Sequence, residues 1–107
     1  MAWSVEFLDE TVQAELETLP LDMRASFLRI SQLIENFGLP HVREPYVKHI
    51  QGPLWEMRMK GRDGIARSLY VTARGERVIV LRVFVKKTQK TPRREIELAL
   101  KRAQEIS

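Results

Sequence analysis

Residues 54–85 read LWEMRMKGRDGIARSLYVTARGERVIVLRVFV, and the period of this stretch decides the fold class. From Leu54 the chain alternates: Trp55, Met57 and Met59 point one way, and Leu54, Glu56 and Arg58 the other. A strand requires this pattern, because successive side chains leave it on opposite faces. Lys60-Gly61-Arg62-Asp63-Gly64 supplies a hairpin turn, Ile65–Ala73 a second strand, and Ala73-Arg74-Gly75-Glu76-Arg77 another turn. Val78–Val85 forms a third strand, apolar at Val78, Val80 and Phe84 on one side and at Ile79, Leu81, Val83 and Val85 on the other. It is therefore expected at the centre of the sheet, with both faces covered.

Working outward, Trp3-Ser4-Val5-Glu6-Phe7 alternates as a short first strand. A helix is expected from about Asp9, with Val12, Leu16 and Leu19 on one face, broken by Pro20. A longer helix follows with Asp22 as its N-cap. Met23, Phe27, Ile30, Ile34 and Phe37 step by 4, 3, 4 and 3 to make one stripe, and Gly38 is the stop. Residues 39–53 form a loop rich in Pro and Gly, with a possible short extended piece at Val47–Ile50. Beyond the sheet, Thr91 can cap a last helix, Pro92 suits its first turn, and Ile96, Ala99, Leu100 and Ala103 form its buried stripe. The expected fold is one α+β domain over residues 1–107, ordered β-α-α-β-β-β-α. An antiparallel sheet carries the N-terminal helical hairpin on one face, with the C-terminal helix completing the domain.

A chain of 107 residues is long enough to bury about two-thirds of its unfolded surface without cross-links. There are no cysteines, which excludes disulfides, thiolate catalysis and Cys-based zinc sites. His41 and His49 lack the spacing of a helical metal pair, and the acidic residues of the basic half are scattered, so no cofactor or metal is expected. No apolar run reaches the roughly 20 residues of a membrane span, and the N-terminus lacks the features of a signal peptide. A cytoplasmic protein without membrane attachment is expected.

The net charge of +4 conceals an asymmetry. Residues 1–40 hold two basic residues against seven acidic, a net −5, whereas residues 41–107 hold sixteen against seven, a net +9. Such a split points to a face that meets a polyanion. The densest segment is Lys86-Lys87-Thr88-Gln89-Lys90-Thr91-Pro92-Arg93-Arg94, where the central strand ends and the last helix begins. There the free N–H groups of the helix N-terminus add to the lysines and arginines as anion donors. Arg58 is expected on the sheet face turned away from the helical hairpin. Arg67 sits mid-strand among apolar neighbours, where a guanidinium is costly unless it is paired, with Glu56 at hand, or opens to a cleft. Lys48 and His49 precede the second long strand, and His49 is the residue able to exchange a proton near neutral pH. Trp3, Trp55 and Tyr70 read as packed residues, Tyr70 with a satisfied hydroxyl.

Three segments together carry a family resemblance: Glu44-Pro45-Tyr46-Val47-Lys48-His49-Ile50, Leu54-Trp55-Glu56-Met57-Arg58, and Phe84-Val85-Lys86-Lys87-Thr88-Gln89-Lys90-Thr91-Pro92 with Glu95-Ile96. They closely resemble the phage-derived, HigB-like branch of the RelE toxin superfamily. The resemblance implies a RelE-like fold and a metal-independent endoribonuclease that cleaves mRNA, typically on the ribosome. It also implies a cognate antitoxin carrying a helix-turn-helix DNA-binding domain, through which alone operator DNA is reached. By position, Arg67 matches the family's mid-strand catalytic arginine and Lys87 the basic residue after the last core strand, with Lys86 beside it. Lys48, Arg58 and Lys90 match basic positions around the same concave surface, to which Arg93 adds an RNA contact. The chain departs from the pattern in having no Tyr or His after Lys87. His49 then stands as the alternative proton carrier. Two other readings fit the same residues: a ParE-like toxin that cleaves nothing, and a basic RNA-binding module without activity.

Overall fold

A computed structural model describes residues 2–86 and 90–106. The chain runs β1 (Ser4–Phe7), α1 (Glu10–Glu17), α2 (Leu21–Phe37), a 3-10 turn (Leu39–His41), β2 (Val47–Gln51), β3 (Leu54–Gly61), β4 (Gly64–Ala73), β5 (Arg77–Lys86) and α3 (Arg93–Ala103). The α+β order expected from the sequence is present. The sheet has five strands in the order β1-β5-β4-β3-β2. It is mixed rather than wholly antiparallel, because β1 lies parallel to β5, with Val5 opposite Val78 and Phe7 opposite Val80. The extended piece at Val47–Ile50 is a true strand that pairs antiparallel with β3.

Each face of the sheet has its own core. On one face Met57, Met59, Ala66, Tyr70, Val78 and Val80 pack against Val12, Met23, Phe27, Ile30 and Ile34 of the helical hairpin. On the other, Leu54, Leu69, Val71, Ile79, Leu81 and Phe84 pack against Ala99 and its neighbours on α3. A bulge interrupts β5: Leu69 pairs with Arg82 but Tyr70 with Val80, which leaves Leu81 as the extra residue. Strict alternation would group Val83 with Ile79 and Leu81. The bulge reverses the phase, so that Val83 joins the hairpin-side core while Phe84 joins the α3 side. It thereby turns Lys86, two residues after Phe84, onto the α3 face as well.

Beyond the short β1, the edge of β5 is closed by Glu15 of α1, which accepts the Val83 N–H at 3.1 Å. Glu15 also meets Arg82 at 2.9 Å and Arg102 at 3.0 Å, and Arg82 reaches Glu95 at 2.7 Å. This network fixes α3 across the sheet. Caps follow the sequence only in part. Asp9 accepts the Val12 N–H at 3.1 Å, as an N-cap should. Asp22, expected to cap α2, lies inside a helix that begins at Leu21 and accepts instead the Arg62 N–H at 2.6 Å. The carboxylate thus tethers the β3–β4 turn. At Gly61 a Cβ would fall 2.7 Å from Met23 Cγ and 2.8 Å from Asp22 Oδ1. Gly61→Ala is therefore expected to cost about 1–3 kcal/mol, read as a lower melting temperature in thermal unfolding.

Candidate functional site

The α3 face of the sheet is where the sequence-predicted cations assemble. Cross-strand pairing sets Lys48 opposite Glu56, Glu56 opposite Leu69, Arg58 opposite Arg67, Arg67 opposite Phe84 and Ile65 opposite Lys86. Side chains of paired residues share a face. Lys48, Glu56, Arg58, Arg67 and Lys86 therefore rise from four adjacent strands toward α3. Between them and the start of α3 lies a cleft of about 950 Å³, bordered by Lys48, Arg58, Lys86, Lys90, Thr91 and Arg93. Arg93 is largely solvent-exposed and lies 3.4 Å from Glu97.

At the base of the cleft stands Glu56, only 1 % exposed. Its Oε1 is 3.4 Å from both Arg58 Nε and Arg67 Nη1. Its Oε2 accepts the hydroxyl of Thr91, which ties the approach to α3 to the centre of the sheet. Thr91, expected to cap α3, spends its hydroxyl here, and that helix starts after Pro92 with no side-chain cap. Glu56 is the partner for Arg67 that the sequence offers. The tertiary role of its second oxygen depends on a residue 35 positions away and leaves no local signal.

Arg67 is 6 % exposed, and the ion pair with Glu56 does not satisfy it. Its Nε and Nη1 are buried without a hydrogen-bond acceptor among the described residues. Burial lowers its pKa; Glu56 opposes the shift and Arg58 adds to it. A buried guanidinium with idle donors is costly. Lys86, 7 % exposed, shares this environment. Burial lowers its pKa most; Arg67, Arg58 and Lys48 push it further down, against the pull of Glu56. Lys86 therefore lines the cleft as an amine drawn toward its neutral form, with the incompletely satisfied Arg67 guanidinium behind it, next to Glu56.

Two further residues were expected at this site. Lys87 lies outside the described residues. His49 alternates with Lys48 and belongs to the opposite face. Its Nε2 is 2.8 Å from the Gly52 carbonyl oxygen, and its ring meets the Trp55 edge at 5.1 Å between centroids. The residue nevertheless also borders the basic cleft that Lys86 lines. Trp55, read as a core residue, is 38 % exposed. Tyr70 is fully buried as expected, but its hydroxyl has no partner among the described residues, and burial raises its pKa. Among the described residues no group of three or more His, Cys, Asp or Glu is placed to hold a metal ion. No helix among them is long and apolar enough to cross a membrane.

Residues 14–104 match the protein family described as phage-derived protein Gp49-like. The fold is similar to that of a chain in the crystal structure of the archaeal RelE–RelB complex from Pyrococcus horikoshii OT3. The two align with a TM-score of 0.63 and 20 % sequence identity, over 81 % of this chain and 98 % of that one. No curated protein sequence matches the chain.

Proposed function

Because the chain belongs to the phage-derived Gp49-like family, within the RelE superfamily of toxins, we propose that it is an endoribonuclease that cuts mRNA without a metal ion, the toxin half of a type II toxin–antitoxin pair. The observation that carries this reading is Arg67: a buried guanidinium, two of whose nitrogens lack a hydrogen-bond acceptor among the described residues, paired with Glu56 behind a cationic cleft that Lys86 also lines. Nothing in the packing of the described residues satisfies those donors.

The chemistry follows from what the cleft holds. The 2′-oxygen of a ribose attacks the adjacent phosphorus, the P–O5′ bond breaks, and the products are a 2′,3′-cyclic phosphate and a 5′-hydroxyl. Arg67 binds the non-bridging oxygens as they gain charge in the phosphorane, the kind of electrostatic stabilisation that usually dominates such sites. Lys86, drawn toward neutrality, accepts the 2′-hydroxyl proton. An ammonium of the same cluster, such as Lys48 or Lys90 at the cleft wall, supplies the proton that the 5′-oxygen needs. Lys48, Arg58, Lys90 and Arg93 hold flanking phosphates, which makes affinity fall steeply with salt. We place the reaction on the translating ribosome in the cytoplasm. The partner is an antitoxin with a helix-turn-helix domain, through which operator DNA is bound.

If Lys86 is the base, cleavage rises with pH and levels off below about 10.4, the value of a free lysine. The sign is fixed: the neutral amine is active, and burial with its cationic neighbours favours that form. Lys86→Arg keeps the charge but holds its proton throughout this range. It is expected to lose most activity and the rising limb of the pH–rate profile, measured as initial rates of RNA cleavage. A variant that keeps the limb assigns the base elsewhere.

A further inference from the structure

Strand β2 closes one edge of the sheet, and its outer side carries no strand. The register settles what it presents there. Val47 is opposite Met57, and the Arg58 N–H donates to the Tyr46 carbonyl at 2.8 Å. In an antiparallel ladder this pattern turns the N–H and C=O of Lys48 toward β3 and those of Val47 and His49 outward. Their side chains follow a different division, with Val47 and His49 on the hairpin face and Lys48 on the face of the basic cleft.

Next to Val47 and His49 on the hairpin face lies a hollow of about 480 Å³, lined by Leu39, Val42, Val47, Trp55 and Tyr70 among others. Trp55 is partly open to solvent, and the buried hydroxyl of Tyr70 is an orphan among the described residues. An unpaired strand edge beside an apolar hollow is a template for an added strand.

We propose that the β2 edge is the docking site for an extended segment of a protein partner whose side chains alternate apolar, acidic, apolar. Laid along β2, such a segment engages the outward groups of Val47 and His49. Its apolar residues enter the hollow, and the acidic residue between them stands on the other face beside Lys48. There the field of Arg58, Lys86 and Lys90 favours a carboxylate. A nucleic acid strand fits less well: it has no N–H and C=O ladder, and its phosphates belong only on the Lys48 side. The toxin reading is needed only to identify the partner as the antitoxin, since the edge, the hollow and Lys48 stand without it.

The test titrates the isotopically labelled full chain with three probes, read by NMR. One is an acetylated, amidated peptide of alternating valine and aspartate; the second carries lysine for each aspartate; the third is a single-stranded RNA. The aspartate peptide is expected to shift the amides of Val47 and His49 and the indole of Trp55, and to bind at least about tenfold more tightly than the lysine peptide. Trp55→Lys should abolish binding, while Leu28→Lys, on the exposed outer face of α2, should not. Equal binding of the two peptides, no shift at millimolar peptide, or Trp55 shifts caused by RNA rather than peptide would overturn the proposal. Should Trp55→Lys fail to fold, the titration of the unsubstituted chain still decides. Cleavage by the same preparation is scored separately. Cleavage without docking removes this proposal alone, and docking without cleavage removes the nuclease reading alone.

Discussion

Arg67→Met is expected to lower RNA cleavage by about 10²–10³-fold, the usual cost of losing one transition-state donor, without lowering the melting temperature. The second half of this expectation sets it apart from an ordinary core substitution. Removing one member of a satisfied buried ion pair costs about 3–5 kcal/mol, because the survivor is left uncompensated. Arg67 is not such a member. Two of its nitrogens have no acceptor among the described residues, and Glu56 keeps Arg58 and Thr91 when the guanidinium is gone. An apolar side chain of similar length removes a buried charge that was never fully paid for by its contacts. Unchanged or raised stability with lost activity is the signature of a residue retained for a ligand. A variant that melts early yet still cuts RNA would mark Arg67 as a structural ion-pair partner.

Glu56→Ala is expected to have the opposite profile, with the largest stability loss of any single change in the cleft, about 3–5 kcal/mol. For a domain of this size each kcal/mol shifts the melting temperature by about 4–8 °C. The carboxylate is 1 % exposed and faces Arg58, Arg67 and Thr91 at once. Its loss leaves Arg67 buried with no counter-charge and releases the tie between the start of α3 and the sheet. Glu56→Gln keeps an oxygen for Thr91 but no charge, and should fall between the two. Removing the carboxylate also removes the one group that draws the Lys86 pKa upward. The rising limb of the pH–rate profile should therefore move to lower pH in Glu56→Gln. Calorimetry with a pH–rate profile reads both effects. A Glu56→Gln enzyme with unaltered stability and an unmoved limb would contradict the arrangement.

Much of this layout was legible before the coordinates, wherever the signal was local. The alternation from Trp55 to Met59, the turn at Gly61–Gly64 and the stripe from Met23 to Ile34 each repeat at the period of their own element. The face carrying Arg58 followed from parity alone. What parity could not supply was non-local. The pairing of β1 with β5 joins Val5 to Val78, and β2 is five residues between prolines, too short to declare itself. The bulge at Leu81 reverses the phase of β5 without any glycine to announce it, and that reversal brings Lys86 into the cleft. Thr91 and Asp22 carry the residue type of caps, but their tertiary partners, Glu56 and the Arg62 N–H, outcompeted the local role. His49 borders the basic cleft as well as packing on Trp55, a double placement that its strand parity alone does not show.

The most direct test of a cationic cleft that drives 2′-oxygen attack is the chemistry of the cut ends. A defined mRNA is translated with the purified chain, and the fragments are analysed by primer extension and by their susceptibility to polynucleotide kinase. The cleft predicts a 5′-hydroxyl on the downstream fragment and a 2′,3′-cyclic phosphate on the upstream one, with both absent in Arg67→Met. A 5′-phosphate with a 3′-hydroxyl, or no cut at all by a folded chain, would contradict it.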